Sequence, residues 1–448
     1  MVGGVRKGRM TEHVLSVDDR RRQPKRRVVI SGLGVIAPNG QGKEAFWQAC
    51  LAGQSGVGRI TRFDAGHLPS QVAGEVSDFD PLQYGLTTAE ITHLDRAAQF
   101  ALAASELALQ DSGLSGRLTS AEREQMGVYL GTALSCLEAG EHVWERLTNR
   151  GTQEPTLDPS FHLPASLLLA HAGASSIAAH YALYGPCLVL ATGCSAGADA
   201  LGEAFWTIQE GRAERMLAGG TDAAICYGVL DVFCVMGALS THFNDQPTQA
   251  SRPYDRLRDG FVMAEGAAVL LLEEREQALE RGAHIYAEIL AFASNSNAHH
   301  MTSLPEAGQP LQALIRAITS TSNLSPRAIE YINSHGSSTP TNERAETLAY
   351  KAIFGECAST IPISATKSLI GHTQGAASAI ETLITAMALE RQIIPPTINQ
   401  EVSDPCCDLD YVPNVAREAN ISVALTHSSG FGGVNSALLL ARADWGQL

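Results

Sequence analysis

A cysteine stands where an apolar run gives way to small residues: Leu188-Val189-Leu190-Ala191-Thr192-Gly193-Cys194-Ser195-Ala196-Gly197. Downstream, Ala200, Leu201, Ala204, Phe205 and Ile208 recur at a period near 3.6, so a helix starts at the cysteine. Gly211 supplies its stop. A thiol at a helix N-terminus feels the positive end of the dipole and the free N–H groups of the first turn. Both favour the thiolate, so the Cys194 pKa is expected to fall and the residue to act as a nucleophile. A lone cysteine also reads as a buried core residue. The strand–glycine–cysteine–helix setting is what favours chemistry.

Three more polar loops each follow a strand-sized apolar run. They are Asn333-Ser334-His335-Gly336-Ser337-Ser338-Thr339-Pro340, Thr366-Lys367-Ser368-Leu369-Ile370-Gly371-His372-Thr373-Gln374-Gly375 and Ser428-Ser429-Gly430-Phe431-Gly432-Gly433. Each histidine alone is more often a hydrogen-bonded loop or core residue than a catalyst. Two strand-end histidines, a strand-end lysine and a strand-end cysteine together make a site. A cysteine with one histidine and an Asn or Asp would suggest acyl transfer to water; two histidines and a lysine suggest something else. Two imidazole N–H groups aimed at one oxygen can hold a developing enolate. Decarboxylation of a malonyl thioester generates that enolate, which can attack a thioester held on Cys194. The N–H groups of Cys194 and Phe431 are candidates for a second oxyanion hole on that thioester.

Alternating elements must position these loops. Strands are expected at 28–34, 126–130, 187–191, 215–219 and 268–272, with helices at 43–52, 95–111 and after Cys194. The second half repeats the grammar. Strands fall at 287–292, 329–333, 361–364, 423–425 and 434–440, with helices at 310–319, from about Glu343, and at 376–389. This predicts α/β layers with largely parallel sheets and two pseudo-duplicated halves, the active-site loops lying at strand ends. The division is a basic, disordered extension over residues 1–27, an N-terminal half over 28–275 carrying the nucleophile, and a C-terminal half over 276–448 carrying the His/Lys/His loops.

The composition fits an ordinary globular chain: 448 residues, 45% hydrophobic, 18% charged and 6% aromatic. No apolar run approaches the ~20 residues of a membrane helix, and the N-terminal extension has no apolar h-region, so it does not read as a secretory signal. The extension holds nine Lys/Arg against three acids, so the rest is more acidic than the formal net charge of −15. Such a body is a poor non-specific partner for nucleic acid. Nine scattered cysteines, without a CxxC pair, imply a reducing, cytoplasmic compartment and no metal site.

Five motifs, in this order and spacing, resemble the β-ketoacyl-[acyl carrier protein] synthases, the thiolase-fold condensing enzymes. They are Thr192-Gly193-Cys194-Ser195-Ala196-Gly197, the run from Arg258 to Gly266, His335-Gly336-Ser337-Ser338-Thr339-Pro340, Lys367-Ser368-Leu369-Ile370-Gly371-His372, and Gly430-Phe431-Gly432-Gly433-Val434-Asn435. The resemblance runs from about Arg27 to the end. It is nearest to ketosynthase α subunits of bacterial type II polyketide synthases. The Thr-Gly-Cys form, Asn297-Ala298-His299-His300-Met301-Thr302, the run from Cys407 to Pro413, and Ser429 beside Gly430-Phe431 point there. Asn435 and Thr339-Pro340 look more like the fatty-acid enzymes.

The resemblance implies a thiolase-like fold in α-β-α-β-α layers and a decarboxylative Claisen condensation of malonyl-carrier with a Cys194-bound acyl chain. It implies that His335 and His372 stabilise the enolate and that Lys367 orients the histidines and maintains their charge state. Glu346 would support Lys367 through hydrogen bonds and water, and Glu343 stands where the family usually has Asp. Ser337 and Thr339 would contact the phosphopantetheine arm. Phe431 would gate the nucleophile, with Ser429 loosening that gate. Asn333 and Glu381 match ligands of a monovalent cation site of some members. No cofactor of the chain's own is expected, since the phosphopantetheine belongs to the acyl carrier protein. The expected partners are that carrier and a second subunit, either another copy or a chain-length-factor-like protein. A basic patch should meet the acidic carrier, with Arg59 and Arg62 as candidates. The competing readings are a fatty-acid elongating synthase and a non-catalytic chain-length-factor-like subunit; Cys194 opposes the latter. A thiolase would carry a second cysteine where this chain has Phe431, and a cysteine hydrolase would leave the Lys367–His372 loop without a task.

Overall fold

The structure is a computed structural model that describes residues 25–155, 167 and 169–446. The basic extension falls outside the described residues except for its last three positions.

Ten principal strands form two sets of five. The first set is β1 (Val28–Ala37), β2 (Met126–Gly131), β3 (Cys187–Leu190), β4 (Arg215–Asp222) and β5 (Gly266–Glu274), in spatial order β3-β2-β4-β5-β1. The second is β6 (Ala287–Ser296), β7 (Tyr331–Asn333), β8 (Ile363–Ser364), β9 (Val423–Ser429) and β10 (Val434–Arg442), in order β8-β7-β9-β10-β6. Counted from its own first strand, each half has the same order, 3-2-4-5-1. The halves join edge to edge where Val28, Val29 and Ile30 pair antiparallel with Ile289, Glu288 and Ala287.

The sheets are mixed, which corrects the expectation of largely parallel ones. In each half the second strand runs parallel to the third and fourth, while the fifth is antiparallel to both neighbours. In the second half the cause is plain. β9 and β10 are separated by only Gly430, Phe431, Gly432 and Gly433, a turn too short for the crossover that parallel neighbours need.

Nine helices matter to the site: α1 (Arg96–Asp111), α2 (Leu137–Thr148), α3 (Ala172–Tyr181), α4 (Ala196–Gln209), α5 (Tyr227–Val235), α6 (Gln309–Thr321), α7 (Pro340–Phe354), α8 (Lys367–Ile370) and α9 (Ala377–Arg391). Helices α1 and α3 cover the outer face of the first five strands, and α6 and α7 that of the second. α4 and α9 lie between, touching each other and strands of both halves. The result is the five-layer α-β-α-β-α sandwich.

The central layer explains the composition of its helices. A helix walled in on all sides has no solvent face and cannot be amphipathic. Accordingly α9 is buried from Ala377 to Leu389. Its polar side chains are satisfied within the layer: Thr382 and Thr385 donate to the carbonyls of Ser378 and Glu381, and the Ser378 hydroxyl accepts from the Ala198 N–H at 2.9 Å. Gly197 lets α4 approach α9, since a Cβ there would lie 2.8 Å from both the Cβ and N of Ala379. Near Glu343 the helix begins three residues earlier than expected, at Pro340, a favoured first position for proline.

Candidate active site

Cys194 sits at the middle of a tight turn, Gly193–Ser195, between β3 and α4. The chain reverses at Gly193, whose φ of 64° suits glycine. The α-helix proper starts at Ala196, so the cysteine precedes the helix by two residues. The thiol is 6% exposed. Burial pushes its pKa up to about 11, against the opposing pull of the Lys367 charge and the Phe431 N–H. This corrects the expected fall. The first-turn N–H groups and the dipole act on a group that has lost its hydration, and desolvation is the larger effect. Cys194 therefore rests as a thiol at neutral pH.

His335 follows β7, and His372 lies between α8 and α9. Both are buried, and their rings meet edge to face with centroids 5.4 Å apart. Lys367, 1% exposed, opens α8 within the loop that sequence alone left irregular. Its ammonium donates to the His335 carbonyl at 2.6 Å, lies 3.3 Å from the His335 Nδ1 and ion-pairs with Glu381. An ammonium has only donors, so the His335 Nδ1 facing it is the unprotonated nitrogen. The His372 Nδ1 accepts from the Gln374 N–H at 3.0 Å. Both rings are thereby fixed with the proton on Nε2. Burial first, and then the Lys367 charge, hold both histidines well below the usual imidazole pKa. They stand as neutral N–H donors.

Ser428, at the end of β9, sits between nucleophile and histidine: its hydroxyl donates to the Cys194 carbonyl at 3.0 Å and lies 3.2 Å from the His335 Nδ1. Sequence reasoning placed Ser428 in a functional loop and gave it no task. Glu381, matched to a cation ligand, is also the carboxylate paired with Lys367, and burial raises its pKa to about 7. Its second oxygen, Oε2, is buried without a hydrogen-bond partner among the described residues. That one oxygen is free to face a cation, and no step of the chemistry runs through it. The Asn333 amide donates to the Glu381 carbonyl at 3.2 Å.

Glu346, on α7, accepts from the Gly336 N–H at 3.2 Å and from the Tyr254 hydroxyl at 2.5 Å. It senses Lys367 through its charge. Glu343, one turn earlier, accepts from the Ser338 N–H at 2.5 Å and faces Arg258 at 3.5 Å; burial raises its pKa to about 8. The Ser337 and Thr339 hydroxyls lie 2.9 Å apart, against each other. Ser429, half-buried, ends β9 and lines a small cavity with Asn342, Glu346 and Asn435. Phe431 is 39% exposed and stacks on Phe233 of α5 with centroids 6.2 Å apart.

Asp222 escaped the sequence reading. Buried at the end of β4, it accepts from the Thr132 hydroxyl and from the N–H groups of Ala133, Leu134, Ser135 and Gly375. It pins the loop after β2 to the turn that carries His372 into α9. The signal was there: Gly219-Gly220-Thr221-Asp222 ends a strand facing the site. The two candidate docking arginines are both engaged, Arg59 with Asp245 and Arg62 with Glu138.

Comparison with known proteins agrees with this geometry. Residues 25–278 match the family described as Beta-ketoacyl synthase, N-terminal domain, and residues 286–401 match Beta-ketoacyl synthase, C-terminal domain. The chain is 42% identical over 430 residues to the tetracenomycin polyketide synthase ketoacyl synthase alpha subunit of Streptomyces glaucescens, covering 94% of this chain and 98% of that one. It is 41% identical to 3-oxoacyl-[acyl-carrier-protein] synthase 2 of Coxiella burnetii, over 93% of this chain and 99% of the relative. Among solved structures, a type II polyketide ketosynthase in complex with its acyl-carrier protein and bound to a hexaketide superposes with a TM-score of 0.84 at 37% identity, covering 93% of this chain and 99% of that one. The ishigamide ketosynthase/chain length factor gives 0.85 at 32% identity with the same coverage.

Proposed function

The chain belongs to the β-ketoacyl synthase family, and from that premise we propose that it is the condensing subunit of a type II polyketide synthase. It joins a Cys194-bound acyl chain to malonyl carried on an acyl carrier protein. One observation carries the reading: Lys367 and the Gln374 N–H fix two neutral imidazoles with Nε2–H free, in a buried cluster where Ser428 sits between His335 and Cys194. A hydrolase has no use for two such donors; an enolate has.

In the first half-reaction the Cys194 sulfur attacks the acyl thioester, and its proton leaves with the departing phosphopantetheine thiolate. In the second, the malonyl carboxylate departs as CO2, and its electron pair becomes the enolate, whose oxygen accepts from His335 and His372. The enolate carbon attacks the Cys194 thioester. The N–H groups of Cys194 and Phe431 receive the tetrahedral oxyanion, and collapse expels the Cys194 thiolate, which regains a proton. Burial that raises the thiol pKa also makes the thiolate a reactive species once formed. Lys367 keeps both histidines neutral, so that they donate hydrogen bonds without transferring a proton to the enolate. Ser337 and Thr339 steady the arm of the carrier, and Phe431 shields the thiol, with Ser429 leaving room beside it. The phosphopantetheine comes with the carrier, so the chain needs no cofactor of its own for these steps.

A second subunit has a ready edge. β3 ends its half of the sheet with one side unpaired among the described residues, and Leu188 on it is 51% exposed. Trp144 of α2 and Val232 and Val235 of α5 are exposed as well. A bare apolar edge strand invites pairing with another chain, here a second copy or a chain-length-factor-like subunit. No described helix is long and apolar enough to cross a membrane. All nine cysteines are free, in keeping with a reducing cytoplasm.

Intact-protein mass measurement with a panel of acyl-carrier thioesters tests the reading, with Cys194→Ala as control. An adduct of acyl mass that the control lacks is expected. No adduct with any donor, from folded protein supplied with a chain-length-factor subunit, overturns it. Preference for long saturated chains would favour the fatty-acid elongating alternative that the Coxiella relative represents.

A further inference from the structure

One residue outside every motif reaches into the cluster. Tyr254 lies in the segment before the Arg258–Gly266 run, and its hydroxyl donates to the Glu346 Oε2 at 2.5 Å. Its backbone φ is 64°, a left-handed conformation that is costly for a bulky side chain and is retained only where surroundings over-determine it. The surroundings do so. The Tyr254 ring stacks on Tyr411 at 3.7 Å with an interplanar angle of 12°, and the Tyr411 hydroxyl is fixed 2.7 Å from that of Thr347. The next residue, Asp255, is tied to Arg252 and to the N–H groups of Leu257, Glu401 and Val402. The strain delivers a single phenol to the far side of Glu346.

Glu346 in turn holds the Gly336 N–H through Oε1 at 3.2 Å. Gly336 directly follows His335, and its turn has no slack: φ is 42°, and a Cβ there would lie 2.3 Å from that of Ala365. Tyr254, Glu346, Gly336 and His335 thus form an unbroken line from a strained backbone to an imidazole. We propose that Tyr254 is a positioning residue for the condensation, holding the Glu346 carboxylate charged and aimed so that the His335 turn stays in register with Lys367. The proposal rests on the condensing-enzyme reading above.

The groups facing Glu346 define what its charge obeys. Lys367 lies toward the site, His427 stands 3.9 Å away on β9, and Tyr411 and Glu381 are within electrostatic reach. Glu343 and Tyr350 share its helix. Burial raises the Glu346 pKa, whereas Tyr254, the Gly336 N–H and Lys367 lower it. A hydroxyl donating to a carboxylate favours the charged form. Its removal must raise the pKa, so protonation sets in at a higher pH.

Tyr254→Phe deletes that hydroxyl and keeps the ring on Tyr411. The Glu346 carboxyl titration is followed by infrared difference spectroscopy, with Glu346→Gln assigning the band. In Tyr254→Phe the midpoint is expected to rise by about one pH unit. The acid limb of malonyl decarboxylation should rise with it, while acyl loading of Cys194 is unchanged. An unmoved midpoint overturns the proposal, as does a moved midpoint with an unmoved acid limb or a parallel loss of loading. Wild-type protein that neither loads acyl chains nor releases CO2 would sink the condensing reading instead, and the infrared midpoint would still report on Tyr254 and Glu346.

Discussion

The Lys367 ammonium touches His335 twice, donating to its carbonyl at 2.6 Å and lying 3.3 Å from its Nδ1. One buried cation therefore fixes the position of the histidine, its tautomer and its neutrality. The same charge lowers the pKa of His372.

Lys367→Met should separate these effects. Without the cation both imidazole pKa values rise, so the acid limb of the decarboxylation profile moves to higher pH. Glu381 loses its partner, and breaking a buried pair from one side costs about 3–5 kcal/mol. Denaturant unfolding and a pH series of CO2 release check the two halves.

Cys194→Ala should abolish the acyl adduct. Cys194→Gln should end condensation yet leave or increase malonyl decarboxylation, because the enolate donors are separate from the thiol. In the wild-type protein a thiol pKa raised to about 11 predicts alkylation that is slow at neutral pH and accelerates as pH climbs toward that value. Iodoacetamide kinetics followed by mass would show it; a plateau near pH 7 would contradict it.

His335→Ala should damage decarboxylation far more than acyl loading, since the donor to the enolate is lost and the nucleophile is kept. Loading and CO2 release measured on one preparation decide the matter. Equal losses would give His335 a structural or shared role.

Gly197→Ala tests the central layer. The added methyl would lie 2.8 Å from the Ala379 Cβ and N and 3.0 Å from the Gly375 carbonyl. Overpacking of this kind costs about 1–3 kcal/mol, readable as a lower denaturant midpoint.

Leu188→Lys places a charge on the bare edge of β3, the device that natural sheets use to block pairing. A shift to the monomer in sedimentation velocity is the expected outcome. An unchanged assembly would move the partner to another surface.

Much of this was legible in the sequence because the site lies at strand ends, where polar loops interrupt apolar runs. Cys194, His335, Lys367 and His372 all stand in such breaks, and the expected strands overlap all ten principal strands. Local pattern carried no information on pairing direction, so the antiparallel fifth strands came only with the structure. The Cys194 pKa was misjudged because helix position is local whereas burial is global. Helix α5, with only Leu230 buried, offers no clean amphipathic period and was not foreseen. The tasks of Asp222 and Tyr254 were not legible for a similar reason: each acts on residues over 80 positions away along the chain.

The repeated strand order has a consequence for how many reaction centres the chain can hold. The turn before α4 and the turn before α9 are counterparts: Gly193 and Gln374 open them with φ of 64° and 52°. Their middle residues are Cys194 and Gly375. A Cβ on Gly375 would lie 2.5 Å from the Ala133 N and 2.6 Å from the Asp222 carboxylate. The duplicate turn has no space for any side chain, let alone a reactive one. The symmetry of the two turns is thus broken at one residue: one turn carries the sulfur, and the other, with no room for a competing nucleophile, follows directly on His372.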